Sequence, residues 1–175
     1  MFQSRFPRRP FAARSSHRGL ASLVLALGLA AGANLLLSPK EPAEGRAYAV
    51  DGDTIRINEM RIRLKGIDAP ELEQTCVRAG QPYLCGEEAR NALVAILLKQ
   101  QVECRLSGRD RYRRSLARCT VEGKDIGARL VEEGWAVAYG GYTWEETRAR
   151  HRAVGLWAGS FDYPREWRRK HGRST

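Results

Sequence analysis

The sequence predicts an α+β domain, a small five-stranded β-barrel closed on one side by about three helices. Three observations lead there. Short strand-like runs separated by turn residues fill the first part of the domain, one amphipathic helix interrupts them, and two further strands come before the remaining helices. That order is the order of an OB-type barrel. The strands are Ala47 to Val50, Thr54 to Asn58 and Met60 to Lys65, followed by Gln101 to Leu106 and Ser115 to Val121. Met60, Ile62 and Leu64 alternate with Arg61, Arg63 and Lys65, as a half-buried strand requires, and Asp51-Gly52 and Asn58-Glu59 supply the turns of a meander. The first helix is Glu87 to Lys99, with Ala89, Leu93, Ile96 and Leu97 on one face. Asp125 caps a second helix running through Glu133 and stopped by Gly134, and a third, strongly charged, runs from about Trp144 to Val154.

Outside this domain the chain has two extensions. Five of the ten net positive charges (Arg5, Arg8, Arg9, Arg14 and Arg18) precede the first acid, which leaves +5 from Ser38 onward. They lead into Leu20 to Leu37, an uncharged apolar run of 18 residues. Residues 1–37 therefore read as an N-terminal hydrophobic helix, either a cleaved signal peptide or a membrane anchor. Residues 38–44, with two prolines, read as a linker, residues 45–160 as the domain, and residues 161–175 as a basic C-terminal tail whose arginine-rich part after Trp167 reads as solvent-exposed or frayed. The expected location is outside the cytoplasm: periplasmic or secreted if the segment is cleaved, membrane-anchored if it is kept. Membrane contact is expected only through that segment, and a monomer is expected.

Cys76, Cys85, Cys104 and Cys119 agree with export. Their spacing is unlike the close pairs of zinc ligands. Of the three possible pairings we expect Cys76 with Cys85, closing a local loop, and Cys104 with Cys119, across a hairpin.

Chemistry concentrates in two short clusters, Asp51-Gly52-Asp53-Thr54 and Arg63-Leu64-Lys65-Gly66-Ile67-Asp68-Ala69-Pro70-Glu71. Oxygen ligands without a nearby histidine suit a hard cation such as calcium or magnesium, and an arginine among them suits a phosphate. Asp53 and Asp68 can be brought together by antiparallel pairing, and Glu71, beyond a proline, can reach a water as general base. The basic domain favours a polyanionic partner. Tyr112, Tyr139 and Tyr142 are candidates for stacking on bases, or for packing the rim. Trp135 and Trp157 read as core, and His17, His151 and His171 as non-catalytic.

Together with Asp110-Arg111-Tyr112-Arg113-Arg114, these clusters resemble the successive signatures of the staphylococcal nuclease (thermonuclease) family. The resemblance spans about Gly45 to Trp157. It implies an OB-fold nuclease that cleaves DNA and RNA with calcium, acting most readily on single-stranded or flexible segments. By position, Asp53, Asp68 and the carbonyl of Ala69 would ligate calcium, with Asp51 behind them. Arg63 and Arg114 would hold the phosphate, and Glu71 would be the general base. Where this loop signature usually has glycine the chain has Arg113, so Arg113 and Arg111 stay open as alternatives to Arg114. A different class of function, an OB-fold module that binds single-stranded nucleic acid without cutting it, also fits the fold.

Overall fold

The computed structural model describes residues 42–172. The expected N-terminal hydrophobic helix and most of the linker lie outside the described residues. Among the described residues, no helix is long and apolar enough to cross a membrane.

Five strands form the barrel: β1 (Ala43–Ala49), β2 (Thr54–Ile57), β3 (Met60–Leu64), β7 (Gln101–Arg109) and β8 (Ser115–Val121). β1, β2 and β3 make the expected meander, β7 pairs with β1, and β8 with β7, all antiparallel. The barrel closes where β3 meets β8 in parallel, with Ile62, Arg63 and Leu64 opposite Ser115, Leu116 and Ala117. A closed barrel leaves few free edges, and its inward residues (Ile55, Ile57, Ile62, Leu64, Val102, Ala117) are the buried alternates of the sequence pattern. β1 starts at Ala43, so the last two residues of the expected linker are already paired, Ala43 with Cys104 and Glu44 with Glu103.

Helix α1 (Cys85–Leu97) lays Ala89, Leu93, Ile96 and Leu97 on the barrel, two residues earlier than its periodicity suggests. Helix α2 (Ile126–Glu132) starts at Asp125, whose carboxylate accepts the Ala128 N–H at 2.9 Å. Helix α3 (Thr143–Arg152) buries only Ala149 and presents charge elsewhere.

Three features depart from the sequence reading. Strands β5 (Thr75–Arg78) and β6 (Gln81–Leu84) form a hairpin around Ala79-Gly80, both at positive φ, against which the two-residue strand β11 (Gly159–Ser160) pairs. Two other two-residue strands, β4 (Ile67–Asp68) and β10 (Val137–Ala138), pair and fix the backbone of Asp68 opposite Val137; a further short strand, β9 (Lys124–Asp125), borders β8. The basic tail contains a fourth helix, α4 (Pro164–His171), with Pro164 and Trp167 buried, and the helix continues to His171 where fraying was expected after Trp167. Proline at the first turn costs no helical hydrogen bond, and Pro164, Trp167 and His171 follow one another at helical spacing on the packed face.

Gly52 lies in the expected bend between β1 and β2, and the structure adds a close approach there. Its φ is not in the left-handed region; a Cβ there would lie 2.7 Å from the Ala69 Cβ and 3.0 Å from the Ala89 Cβ. The residue lets the loop before Asp53 pack directly between Ala69 and α1.

Both expected disulfides are present. Cys76–Cys85 ties the start of α1 to β5, and Cys104–Cys119 joins facing residues of β7 and β8. Because Cys104 and Cys119 are buried in the main core and close a loop through the barrel, the double variant Cys104→Ser, Cys119→Ser should lose about 2–4 kcal/mol in chemical denaturation. An unchanged midpoint would show that the bond carries no stability.

Candidate functional site

Asp53 leaves the loop between β1 and β2 with its backbone N–H bonded to Asp51 Oδ1 at 3.0 Å, so Asp51 sets the turn from behind. Asp53 is 4% exposed. Its Oδ1 accepts from Thr54 Oγ1 at 3.1 Å and Arg63 Nη1 at 2.8 Å, and its Oδ2 accepts the Ala69 N–H at 3.3 Å and lies 2.7 Å from Arg63 Nη2. The β2–β3 register explains the pairing. Arg63 stands opposite Thr54, one residue from Asp53, and the Leu64 N–H bonds the Asp53 carbonyl at 2.8 Å.

Arg63 Nη2 also donates to Asp68 Oδ1 at 2.8 Å. Asp68 in turn receives a second guanidinium, from Arg168 of α4: Nη2 to Oδ2 at 2.8 Å and Nη1 to Oδ1 at 3.1 Å. Arg168 Nη1 continues to Glu71 Oε1 at 2.9 Å. Acids and guanidiniums thus alternate in one row: Asp53, Arg63, Asp68, Arg168, Glu71. Charge-assisted bonds of this kind are short and strong, and each carboxylate is satisfied by a neighbour of opposite sign.

Burial dominates the protonation of Asp53. Desolvation pushes its carboxyl up to about 7; Arg63 and the Ala69 N–H oppose this, while Asp51 and Asp68 add to it.

Glu71 is positioned by its backbone. Its N–H bonds Gln74 Oε1 at 3.3 Å and its carbonyl accepts the Gln74 N–H at 2.8 Å. Gln74 is fully buried, and its Nε2 donates to the Asp162 carbonyl at 2.7 Å, joining Glu71 to the approach of α4. The first turn of α1 presses on the same carbonyl: a Cβ at Gly86 would sit 1.7 Å from the Glu71 oxygen. Only glycine permits that contact.

The loop between β7 and β8 is held by Asp110. Its Oδ1 accepts the N–H groups of Tyr112 and Arg114 at 2.9 and 3.0 Å, and its Oδ2 accepts Arg114 Nε at 2.8 Å. Arg113 has φ 64°, the left-handed conformation anticipated for a position where glycine is usual. A cleft of about 1140 Å³ is lined by Arg63 and Asp68 together with Arg111, Tyr112, Arg114 and Tyr139. Arg113 and Tyr142 are not among its lining residues. The Tyr142 hydroxyl lies 3.0 and 2.9 Å from the two Asp125 oxygens, which makes the residue a brace for α2. Burial and Asp125 both push its phenol upward.

Sequence reading missed Arg168, Gln74 and the positioning role of Asp110. Asp110 could have been found, since an Asp two and four residues before backbone donors is a turn signal. Arg168 gave no such sign within a run of basic residues.

Among the described residues, no group of three His, Cys, Asp or Glu side chains stands ready to ligate a metal. The donors at hand are two carboxylates and backbone carbonyls, all oxygen. That set fits a hard cation which keeps waters and takes further oxygens from its substrate. The desolvated Asp53 carboxylate would gain most from such a charge.

Two predictions follow from this geometry. Arg113→Gly should raise stability by up to about 1 kcal/mol, because glycine carries no Cβ penalty in the left-handed region; a loss in chemical denaturation would show that Arg113 is held by favourable contacts. For Asp53, the folded state holds a proton that the unfolded chain releases between pH 3.8 and about 7. With chelator present, its contribution to stability should therefore fall as pH rises through that window, and Asp53→Asn should flatten the dependence.

The family model described as "Staphylococcal nuclease homologue" matches residues 61–159, from β3 to the start of β11. The chain is 38% identical over 125 residues to a succinoglycan biosynthesis protein of Rhizobium meliloti, covering 67% of this chain and 65% of that protein. An uncharacterized endonuclease of Haemophilus influenzae is 29% identical over 132 residues, covering 69% of each. A probable staphylococcal-like nuclease of Oryza sativa is 31% identical over 132 residues, covering 71% of this chain and 37% of that protein. The chain thus spans less than two thirds of the Rhizobium protein and little more than a third of the rice one. The family match runs from Arg61, through the strand that carries Arg63 and the turn that carries Asp68 and Glu71, to the loop that carries Arg114, and on this evidence the chain belongs to the staphylococcal nuclease homologue family.

Proposed function

We infer that the protein is a calcium-dependent nuclease that hydrolyses phosphodiester bonds of DNA and RNA, favouring single-stranded or flexible segments. The observation that supports this most directly is the alternating row of acids and guanidiniums meeting a basic cleft at Arg63 and Asp68. The endonuclease named among the relatives points the same way.

In this reading Asp53, Asp68 and the Ala69 carbonyl hold the cation. When bound, calcium supplies positive charge to a phosphate oxygen and favours ionisation of a nearby water. Arg63 and Arg114 grip the remaining phosphate oxygens; their forked donors match that geometry, and they meet growing negative charge where water is partly excluded. Glu71, held by its backbone to Gln74, takes the proton from the attacking water. Tyr139, 68% exposed, offers its ring to unpaired bases, and Tyr112, 48% exposed with the Arg111 guanidinium 4.9 Å from its ring centroid, offers an aromatic–arginine pair in the same cleft. The two disulfides suit work outside the cytoplasm, as an export signal or anchor would require.

The full-length protein, purified with its disulfides intact, should cleave heat-denatured DNA with calcium and not with a calcium chelator. Glu71→Gln and Arg63→Ala should each lower turnover by about 10²–10⁴-fold, the usual span of a positioned acid–base group. Tight, strongly salt-dependent oligonucleotide binding without calcium-stimulated product would instead identify a non-catalytic nucleic-acid-binding module.

A further inference from the structure

Arg168 sits within the row of site residues and comes from a helix outside the matched family segment. Its side chain is only 17% exposed and bonds both oxygens of Asp68 and one of Glu71. This is a built position. Pro164 and Trp167 are buried, the Trp167 ring stacks on His171 with centroids 4.5 Å apart, and Lys170 pairs with Asp162 at 2.8 Å. The carbonyl of that same Asp162 is tied through buried Gln74 to the backbone of Glu71. The helix and the general-base position therefore share one support.

The side of α4 that runs from Arg168 to Arg165 and Arg169 carries charge into the cleft. Arg165, Arg168 and Arg169 line it, together with Arg63, Arg111 and Arg114. Three arginines at i, i+3 and i+4 make one helical stripe, which suits a phosphate backbone more than an isolated ion.

In this structure Arg168 spans Asp68 and Glu71. Asp68 would be shared with a bound divalent cation, whose positive charge would disfavour a guanidinium on the same carboxylate, while Glu71 would still hold one edge of the fork. Donors freed from Asp68 would be available to phosphate oxygens in the cleft that Arg168 lines.

We propose that Arg168 is a third phosphate-contacting arginine of the site and that helix α4 is a wall of the nucleic-acid cleft, with Arg168 yielding Asp68 to the arriving cation and turning its freed donors to the phosphate. The proposal rests on the nuclease reading above.

The test uses the full-length protein, calcium titrated by calorimetry without nucleic acid, and steady-state kinetics on a single-stranded oligonucleotide. Arg168→Ala should bind calcium on the order of tenfold more tightly, since a competing positive charge is gone. The same variant should lose about 10²-fold in turnover, as expected for a donor that meets transition-state charge. These opposite signs are the signature. Arg168→Lys, which keeps charge but not the fork, should bind calcium as the parent does and recover only part of the turnover. Lys124→Ala, at an exposed lysine of β9 that does not line the cleft, should change neither. Turnover of Arg168→Ala within about twofold of the parent, or above it, overturns the proposal. So does a loss of turnover with calcium affinity unchanged or weakened, which marks a structural brace. If the parent protein cleaves nothing, the nuclease reading fails first and takes this proposal with it.

Discussion

The parallel pairing of β3 with β8 is the constraint on which the rest depends. All other contacts in the barrel are antiparallel neighbours; this one joins strands about fifty residues apart and turns a curled sheet into a closed barrel. Closure sets Ile62 and Arg63 beside Ser115 and Leu116, so the loop that ends at Arg114 emerges next to Arg63. Within the hairpin the two-residue turn Asn58-Glu59 fixes the register of β2 against β3, and with it the reach of Arg63 to Asp53. A one-residue slip would send Arg63 to the opposite face. The Cys104–Cys119 bond reinforces the adjoining β7–β8 pair from within the core.

On that frame the site is a problem in placing charge. Three carboxylates are gathered where at least one, Asp53, is almost cut off from water, and burial alone drives it toward its neutral form. Two guanidiniums threaded between them keep the cluster together. Buried ion pairs add little net stability, because desolvation offsets attraction, but a missing partner is costly. The row is therefore held together by each group's need for its neighbours rather than by a net gain in stability.

Close backbone approach does the finer positioning. Gly52 lets the Asp53 loop sit between Ala69 and α1, and Gly86 lets α1 rest on the Glu71 carbonyl. Cys76–Cys85 anchors that helix start, and Gln74 links the same backbone to the approach of α4. Glu71 and Arg168 are thus supported by contacts made one layer away from the chemistry.

Much of this was legible in the sequence. Alternation identified β3, because a strand with one buried face has a period of two; the Asp51-Gly52 turn and the polar loop Ser107 to Arg114 placed the other four barrel strands, and helical spacing identified three helices. Asp53, Arg63, Asp68 and Glu71 lie within nineteen residues, where local strand pairing is enough to bring them together, and the loop ending at Arg114 carried its own turn signal. The β5–β6 hairpin, helix α4 and Arg168 are among the features that escaped. Each lacks a local signature, since strands of four residues and a helix of eight hold too few periods to stand out. What the sequence by itself determined was the barrel and the inner acids and arginine, because short-range periodicity encodes them. Only the tertiary structure decided which cation completes the row. Arg168 reaches Asp68 across one hundred residues of chain, through a helix whose place depends on burying Pro164 and Trp167.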